Sequence, residues 1–222
     1  MMSQIVGVDV GGTFTDLISF DVNLDTVRIA KVLSTPENQA FGVMKALETT
    51  ETNLPSVETL IHGTTVTTNA LLERKISRVG LITTRGFRDV LELGRRTRPK
   101  PYGMTGIFEC IIPREFRLEV RERIDSEGKI IEPLNKNDVE KAIKQLIENG
   151  IESLIIHFLH SYKNNIHEQI ASDIAKDLWP NSFITRGSEL VTEFREYERG
   201  TTAAINAAIQ PVLHNYIQRL QQ

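Results

Sequence analysis

Cysteine is almost absent from this 222-residue chain: Cys110 is the only one. A single thiol closes no internal disulfide and builds no zinc cage, so a reducing compartment, the cytoplasm, is the expected setting. Long apolar runs are also missing. No run of strictly apolar side chains exceeds three residues, which excludes a membrane-spanning helix. The start, Met1 to Val10, lacks the basic end and apolar stretch of a secretory signal. An excess of one charge is lacking too: 26 Lys and Arg stand against 29 Asp and Glu, a net charge of −3. That balance gives no reason to expect nucleic acid or an anionic membrane as partner. Aromatic residues make up 6%. The one basic stretch, Arg85 to Lys100, contains only Phe87 among them, so it lacks the stacking groups of a nucleic-acid surface. What is present is globular: 40% hydrophobic and 25% charged residues rule out wholesale disorder. The length corresponds to one large or two small domains.

The pattern of the first half is hairpins followed by alternating helices and strands. Ile5 to Val10 and Phe14 to Phe20 flank Gly11-Gly12 and read as a β-hairpin. A third strand is expected over Val27 to Leu33. Thr35-Pro36-Glu37 reads as a helix start, with Ala40, Phe41, Met44 and Leu47 at helical spacing behind it. Strands at Val57 to His62 and Arg78 to Thr84 alternate with helices at Thr64 to Glu73 and Phe87 to Leu93. The order is β-β-β-α-β-α-β-α. From Arg95 to Arg114 prolines, glycines and basic residues dissolve the pattern into a long loop. Arg117 to Ile124 then alternates as a strand, and Lys129 to Glu132 pairs back. Helices are expected over Asn137 to Asn149, ended by Gly150, and over Ile166 to Leu178. Buried strands fall at Ile151 to Leu159 and Ser182 to Thr185. A last helix, Thr201 to Leu220, is expected to be interrupted by Pro211. The domains read as 1–95, a loop 96–116, and an added α/β region 117–222.

The chemistry concentrates in Val8-Asp9-Val10-Gly11-Gly12-Thr13-Phe14-Thr15-Asp16. This is not a P-loop, because Gly-x-x-x-x-Gly-Lys occurs nowhere. It is not a dinucleotide fingerprint either, because the glycines open a strand rather than a helix. It is a hairpin tip whose backbone amides are uncovered, suited to close approach of a phosphate, with φ > 0 allowed at Gly12. Thr13 and Thr15 add hydroxyls. Asp9, at a strand end, suits a water-held Mg²⁺. His62-Gly63-Thr64-Thr65 ends a strand and starts a helix, which makes an anion site. Thr83-Thr84-Arg85-Gly86 has the same placement, so Arg85 and Arg88 are candidates to meet a carboxylate or phosphate. His157, His160 and His167 with Glu168 read as structural, since Ala171 stands where His-Glu-x-x-His needs its second histidine. Cys110, beside Ile111 and Ile112, reads as a spectator thiol. Glu193 to Arg199 reads first as ion pairing on a helix surface.

The Asp-x-Gly-Gly-Thr hairpin in that element order resembles the first phosphate loop of the actin, sugar-kinase and Hsp70 ATPase fold, an ASKHA-like α/β lobe. More specifically, Gly7 to Asp16 is similar to the N-terminus of the hydantoinase A/5-oxoprolinase family. Four further blocks carry the same resemblance in order: His62 to Arg74, Thr83 to Asp89, His160-Ser161-Tyr162 with His167-Glu168, and Glu193 to Arg199. Asn165 stands where the family usually has proline. Family members continue for several hundred residues more, so the chain is expected to be an N-terminal region.

The resemblance implies an ATP-dependent hydrolase of cyclic amides, hydantoins or 5-oxoproline, with ATP and Mg²⁺ as cofactors. Gly11, Gly12, Thr13 and Thr15 would hold phosphate. Asp9, Asp16 and His62 would be catalytic, with Asp9 placing Mg²⁺ through water. Gly63, Thr64, Thr65, Asn69, Arg85 and Arg88 would wall the substrate cleft, and Glu193 to Arg199 would lie near it. The partners implied are the small cyclic amide and the C-terminal remainder or a second subunit, with room for an oligomer. Ketone carboxylase subunits share these blocks and are the alternative enzyme. A non-catalytic module of the same fold is the alternative of another class. The chain alone is expected to be inactive and to bind ATP weakly.

Overall fold

The computed structural model describes residues 3–35, 38, 40–95, 102 and 110–221. Two compact units emerge, Met1–Lys75 with Val212–Gln222, and Ile76–Pro211.

The first unit is built on β1 (Gln4–Val10), β2 (Phe14–Asp21), β3 (Thr26–Leu33) and β4 (Val57–Thr64). The strand order is β3-β2-β1-β4. β1 to β3 form an antiparallel meander, and β4 lies parallel to β1. Strict alternation decides the faces. Val6, Val8, Val10 and Leu17 point inward against Val43, Ala46 and Leu47 of α1 (Ala40–Thr49). Each such Val or Leu side chain contributes roughly 1.5–3 kcal/mol when fully buried. The opposite face leaves Ile18 (49% exposed) and Ile29 (75%) in solvent. α2 (Val66–Leu72) follows β4 at once. The expected helix start at Pro36-Glu37 lies outside the described residues.

The second unit holds β5 (Val79–Thr84), α3 (Val90–Leu93), β6 (Arg117–Val120), β7 (Arg123–Ile124), β8 (Ile130–Glu132) and α4 (Lys136–Glu148). β9 (Ser153–His157), α5 (Ile166–Leu178), β10 (Ile184–Arg186) and α6 (Gly187–Leu190) follow. Its four-stranded sheet runs β10-β9-β5-β6, and every neighbour pair is parallel. Every residue of β5 and of β9 is buried, as a parallel sheet covered on both faces requires. That is why β5 joins this sheet, although the sequence groups it with the first lobe. One cluster sets β9 against Val139, Ile143 and Leu146 of α4 and Ala171 and Ala175 of α5. Asn135 caps α4 by accepting from Asp138 N, and Gly150 (φ 66°) ends it in the left-handed conformation that favours glycine. A second cluster sets Val79 and Leu81 against Ala203, Ala204, Ala207 and Ala208 of α7 (Glu196–Gln221).

Two expected elements differ. The strand expected over Arg117 to Ile124 breaks after Val120, where Glu122 turns its carboxylate into the interior and β7 leaves to pair with β8. α7 is not interrupted at Pro211 but runs through it. Proline removes the N–H that would reach Ala207 O. Ser77 compensates: its hydroxyl lies 3.2 Å from Ala207 O and 3.0 Å from Ala208 O, and its N–H donates to Ala208 O at 3.0 Å.

Candidate functional site

The hairpin tip is fixed from below. Gly11 N donates to Phe14 O (3.0 Å), so that amide is spent inside the turn. Ser34, just past β3, donates its hydroxyl to Gly11 O (2.9 Å) and its N–H to Thr13 O (2.9 Å). The tip therefore presents the amides of Gly12 and Thr13, which have no acceptor among the described residues. Thr15 does not join them. It stands opposite Val10, is fully buried, and its hydroxyl meets Ser34 Oγ at 3.0 Å. Nor does Gly12 take a positive φ. A Cβ there would stand 3.0 Å from Asn69 Nδ2, a tight contact with the end of that side chain.

Below the tip, one row crosses the sheet: Lys31, Asp16, Asp9 and Gly63 are register partners on neighbouring strands. Two carboxylates side by side repel. Lys31 Nζ relieves one of them, lying 2.9 and 3.1 Å from the two oxygens of Asp16. Asp9 is exposed and has no cation within ion-pair distance among the described residues. Gly63 keeps the space beside it open, since a Cβ there would be 3.3 Å from Asp9 Oδ1. Asp9, Asp16 and Gly63 line one shallow depression of about 430 Å³.

The carboxyl ends of β1 and β4 are adjacent, with Val10 beside Thr64. This brings the tip to the start of α2. Thr64 Oγ1 donates to Val10 O (3.3 Å) and accepts from Val66 N (3.2 Å). Asn69 Nδ2 donates to Thr65 Oγ1 (3.2 Å). His62 Nε2 meets Tyr216 Oη at 2.6 Å. Burial lowers the His62 pKa against the opposing pull of Asp9, and burial raises that of Tyr216. Both are therefore neutral near pH 7. Tyr216 is 154 positions from His62 in the chain, and no local pattern announces the pair.

Arg85 and Arg88 belong to the second unit. Arg85 is exposed, and Arg88 sits 4.0 Å from Glu119. The basic loop that follows lies outside the described residues, except for Arg95, which pairs with Glu198, and the exposed Tyr102. Cys110 is half-buried and its pKa is raised, chiefly by burial, which makes it a poor nucleophile.

The sequence misses a buried polar cluster at the carboxyl ends of β5 and β9. Glu122 accepts from Thr84 Oγ1 and faces His167 Nδ1 at 2.7 Å. Glu168 accepts from Phe158 N (3.0 Å), Ser188 N (2.9 Å) and Ser188 Oγ (2.6 Å). His157, sealed in, has its pKa lowered to about 4, mainly by desolvation, and its Nε2–H donates to Glu196 O at 3.0 Å. Arg199 is not a surface residue but fully buried, donating to Glu193 O (2.5 Å) and Phe158 O (3.3 Å). Its guanidinium sits over the Tyr162 ring. His157, His167 and Glu168 are thus ties within a fold. No group of three metal-ligating side chains occurs among the described residues.

Several known proteins are similar to this chain. An uncharacterised protein of Methanocaldococcus jannaschii is 41% identical, over 98% of this chain and 33% of its own length. Caprolactamase subunit alpha of Pseudomonas jessenii is 33% identical over 97% of this chain and 32% of its own. The crystal structure of that ATP-dependent caprolactamase superposes with a TM-score of 0.87 at 32% identity, covering 97% of this chain and 33% of that one. Acetophenone carboxylase gamma subunit of Aromatoleum aromaticum is 31% identical over 96% of this chain and 32% of its own. The chain spans about a third of the length of these relatives. Residues 5–179 match the hydantoinase/oxoprolinase N-terminal region, and the chain belongs to that family.

Proposed function

We propose that this region is the first lobe, ASKHA-like in design, of an ATP-dependent hydrolase of cyclic amides. The observation that carries the reading is the tip of the first hairpin. Two unspent amides, Gly12 and Thr13, sit on a turn pinned by Ser34, beside the start of α2 and above the Asp9–Asp16 row. Amides at such a turn suit an oxyanion of phosphate. The donor set also fits Mg²⁺, which is held by one or two carboxylates plus water rather than by a full protein cage. Asp9 is the residue we assign to it, because Asp16 is already paired with Lys31.

An amide is unreactive because its nitrogen donates into the carbonyl. ATP would supply the phosphoryl group that turns the amide oxygen into a leaving group, after which water opens the ring. The task of this chain is then positioning and charge stabilisation. Gly12 and Thr13 orient the phosphate, Asp9 orients water and cation, and neutral His62, held by Tyr216, stands at the cleft wall with Thr64 and Thr65.

The carboxylase relative favours a second reading, ATP-dependent ketone carboxylation on the same half-site. ATP consumption by the full-length protein separates the two. Stimulation by 5-oxoproline, hydantoin or caprolactam supports the hydrolase, and stimulation only by ketone with bicarbonate supports the carboxylase. No stimulation by either would leave a non-catalytic module. For this chain by itself, calorimetric titration with Mg²⁺-ATP should give millimolar binding or weaker, about 4 kcal/mol or less. Half of the phosphate contacts in a wet site supply no more. Micromolar binding would show that one lobe suffices.

A further inference from the structure

Tyr216 reaches His62 from the last turns of α7, and both residues belong to the first unit. The tyrosine is only 4% exposed, so its hydroxyl proton needs an acceptor. Among the described residues two side chains stand close enough to take it, His62 and Thr64. Thr64 Oγ1 is already engaged twice, accepting from Val66 N at 3.2 Å and donating to Val10 O at 3.3 Å. The length of the His62 contact decides which partner donates. An N–H that donates to oxygen stands at about 2.7–3.2 Å, whereas a hydroxyl donor comes as close as about 2.5 Å. His62 Nε2 lies 2.6 Å from Tyr216 Oη, so the proton between them is the tyrosine's. A neutral imidazole has one N–H and one acceptor nitrogen, so with Nε2 accepting, the N–H is on Nδ1. Burial lowers the His62 pKa and keeps the ring neutral. Nδ1 has no partner among the described residues and is not sealed from solvent.

We propose that Tyr216 is a positioning residue that holds His62 as its Nδ1–H tautomer, and that His62 therefore serves the cleft as a hydrogen-bond donor and not as a base. The donor role rests on the reading given under Proposed function, whereas the tautomer stands on the geometry alone. Which imidazole nitrogen carries the proton is set by the bond made at the other. A general base needs an open lone pair, and the one on Nε2 is filled by the tyrosine proton. A donor suits the chemistry, because negative charge gathers on oxygen both in phosphoryl transfer and in attack on an amide carbonyl. Tyr216 then acts through His62 and touches no reacting atom itself.

The tautomer is read on this chain, labelled with ¹⁵N-histidine and free of nucleotide. His62, assigned by the signals that His62→Asn removes, should show a protonated, pyrrole-type Nδ1 and a pyridine-type Nε2 at pH 7. Tyr216→Phe deletes the hydroxyl alone; it should move pyrrole character to Nε2 and raise the pH at which His62 titrates. A contact that merely packs the helix would leave both signals where they were. A protonated Nε2 in the unaltered chain, or signals unchanged in Tyr216→Phe, would overturn the positioning role. The donor role is read on turnover of the full-length protein. Asparagine puts a side-chain N–H where Nδ1 stood and glutamine puts one where Nε2 stood, and neither is a base. His62→Asn should stay within about tenfold of normal ATP-dependent turnover, and His62→Gln should lose about a hundredfold or more. Equal loss in both, as for a base, or normal turnover in both would overturn the donor role. A full-length protein without any ATP-dependent turnover would refute the hydrolase reading and the donor role with it, while the histidine signals still decide the tautomer.

Discussion

Ser77→Ala removes one oxygen from a nearly buried site, and its cost can be worked from the geometry. The hydroxyl proton is shared between Ala207 O and Ala208 O, at 3.2 and 3.0 Å. Ala208 O keeps the Ser77 N–H, which the substitution leaves in place. Ala207 O keeps nothing from position 211, where the helix has proline. The variant therefore loses a hydrogen bond, about 0.5–1.5 kcal/mol, and strands a carbonyl among buried alanines, about 1–3 kcal/mol. We expect a loss near 2 kcal/mol. The only tryptophan, Trp179, sits in the core of the same unit, so its fluorescence during urea unfolding reports the transition that matters. The decisive control is the same substitution in a Pro211→Ala background. There the alanine N–H can serve Ala207 O, and Ser77→Ala should cost about 1 kcal/mol less. The cycle cancels the effect of proline on the unfolded chain. A loss below about 0.5 kcal/mol, or an equal loss in both backgrounds, would refute the claim that Ser77 repairs the helix at Pro211.

Three further outcomes are expected. Gly12→Val drives a branched side chain toward Asn69 Nδ2, so ATP-dependent turnover of the full-length protein should vanish while far-ultraviolet dichroism is retained; persistent turnover would make the turn purely structural. Asp9→Asn should lower that turnover about a hundredfold, about 2.7 kcal/mol of transition-state stabilisation, with the melting temperature hardly changed, and near-normal turnover would remove Asp9 from the mechanism. His157 binds its proton in the unfolded chain near pH 6.5 but in the fold only near pH 4, facing Glu168, Glu196 and Arg199. The unfolded state then holds more protons between those values, so stability is full above pH 6.5 and falls toward pH 4, by on the order of 3 kcal/mol. Urea midpoints of the protein and of His157→Gln across that range measure the contribution, and parallel pH profiles would disprove it.

Local patterns carried far into the structure, and failed where a distant partner decided the outcome. Period-two alternation located β1 to β3, and the apolar stripe with Gly150 located α4, because both signals reside within one element. The hairpin tip was legible from Asp9 to Asp16, yet Thr15 looked like a phosphate ligand. Only the register that sets it opposite Val10 turns its hydroxyl to the core. Proline at 211 signals a break, and the residue that prevents it, Ser77, lies 130 positions from the Ala207 carbonyl it caps. His62 with Tyr216, and Glu122 with His167, are likewise pairs made by topology. The alternating charges of Glu193 to Arg199 suggested a solvated helix, because a fully buried arginine leaves no trace in spacing.

The outer face of the first sheet has a practical consequence for anyone handling this polypeptide. Ile18, Ile29 and Ile61 are adjacent in register around Gly7, where no side chain interrupts them. That patch meets solvent in the native state. A fluorogenic dye such as ANS should therefore light up on folded protein, without any loss of near-ultraviolet dichroism. Brightness of this kind usually marks a molten state, and here it would not. Dye-based melting curves should start high and show little amplitude, and replacing Ile29 with Thr should darken the baseline while leaving the tryptophan transition where it was.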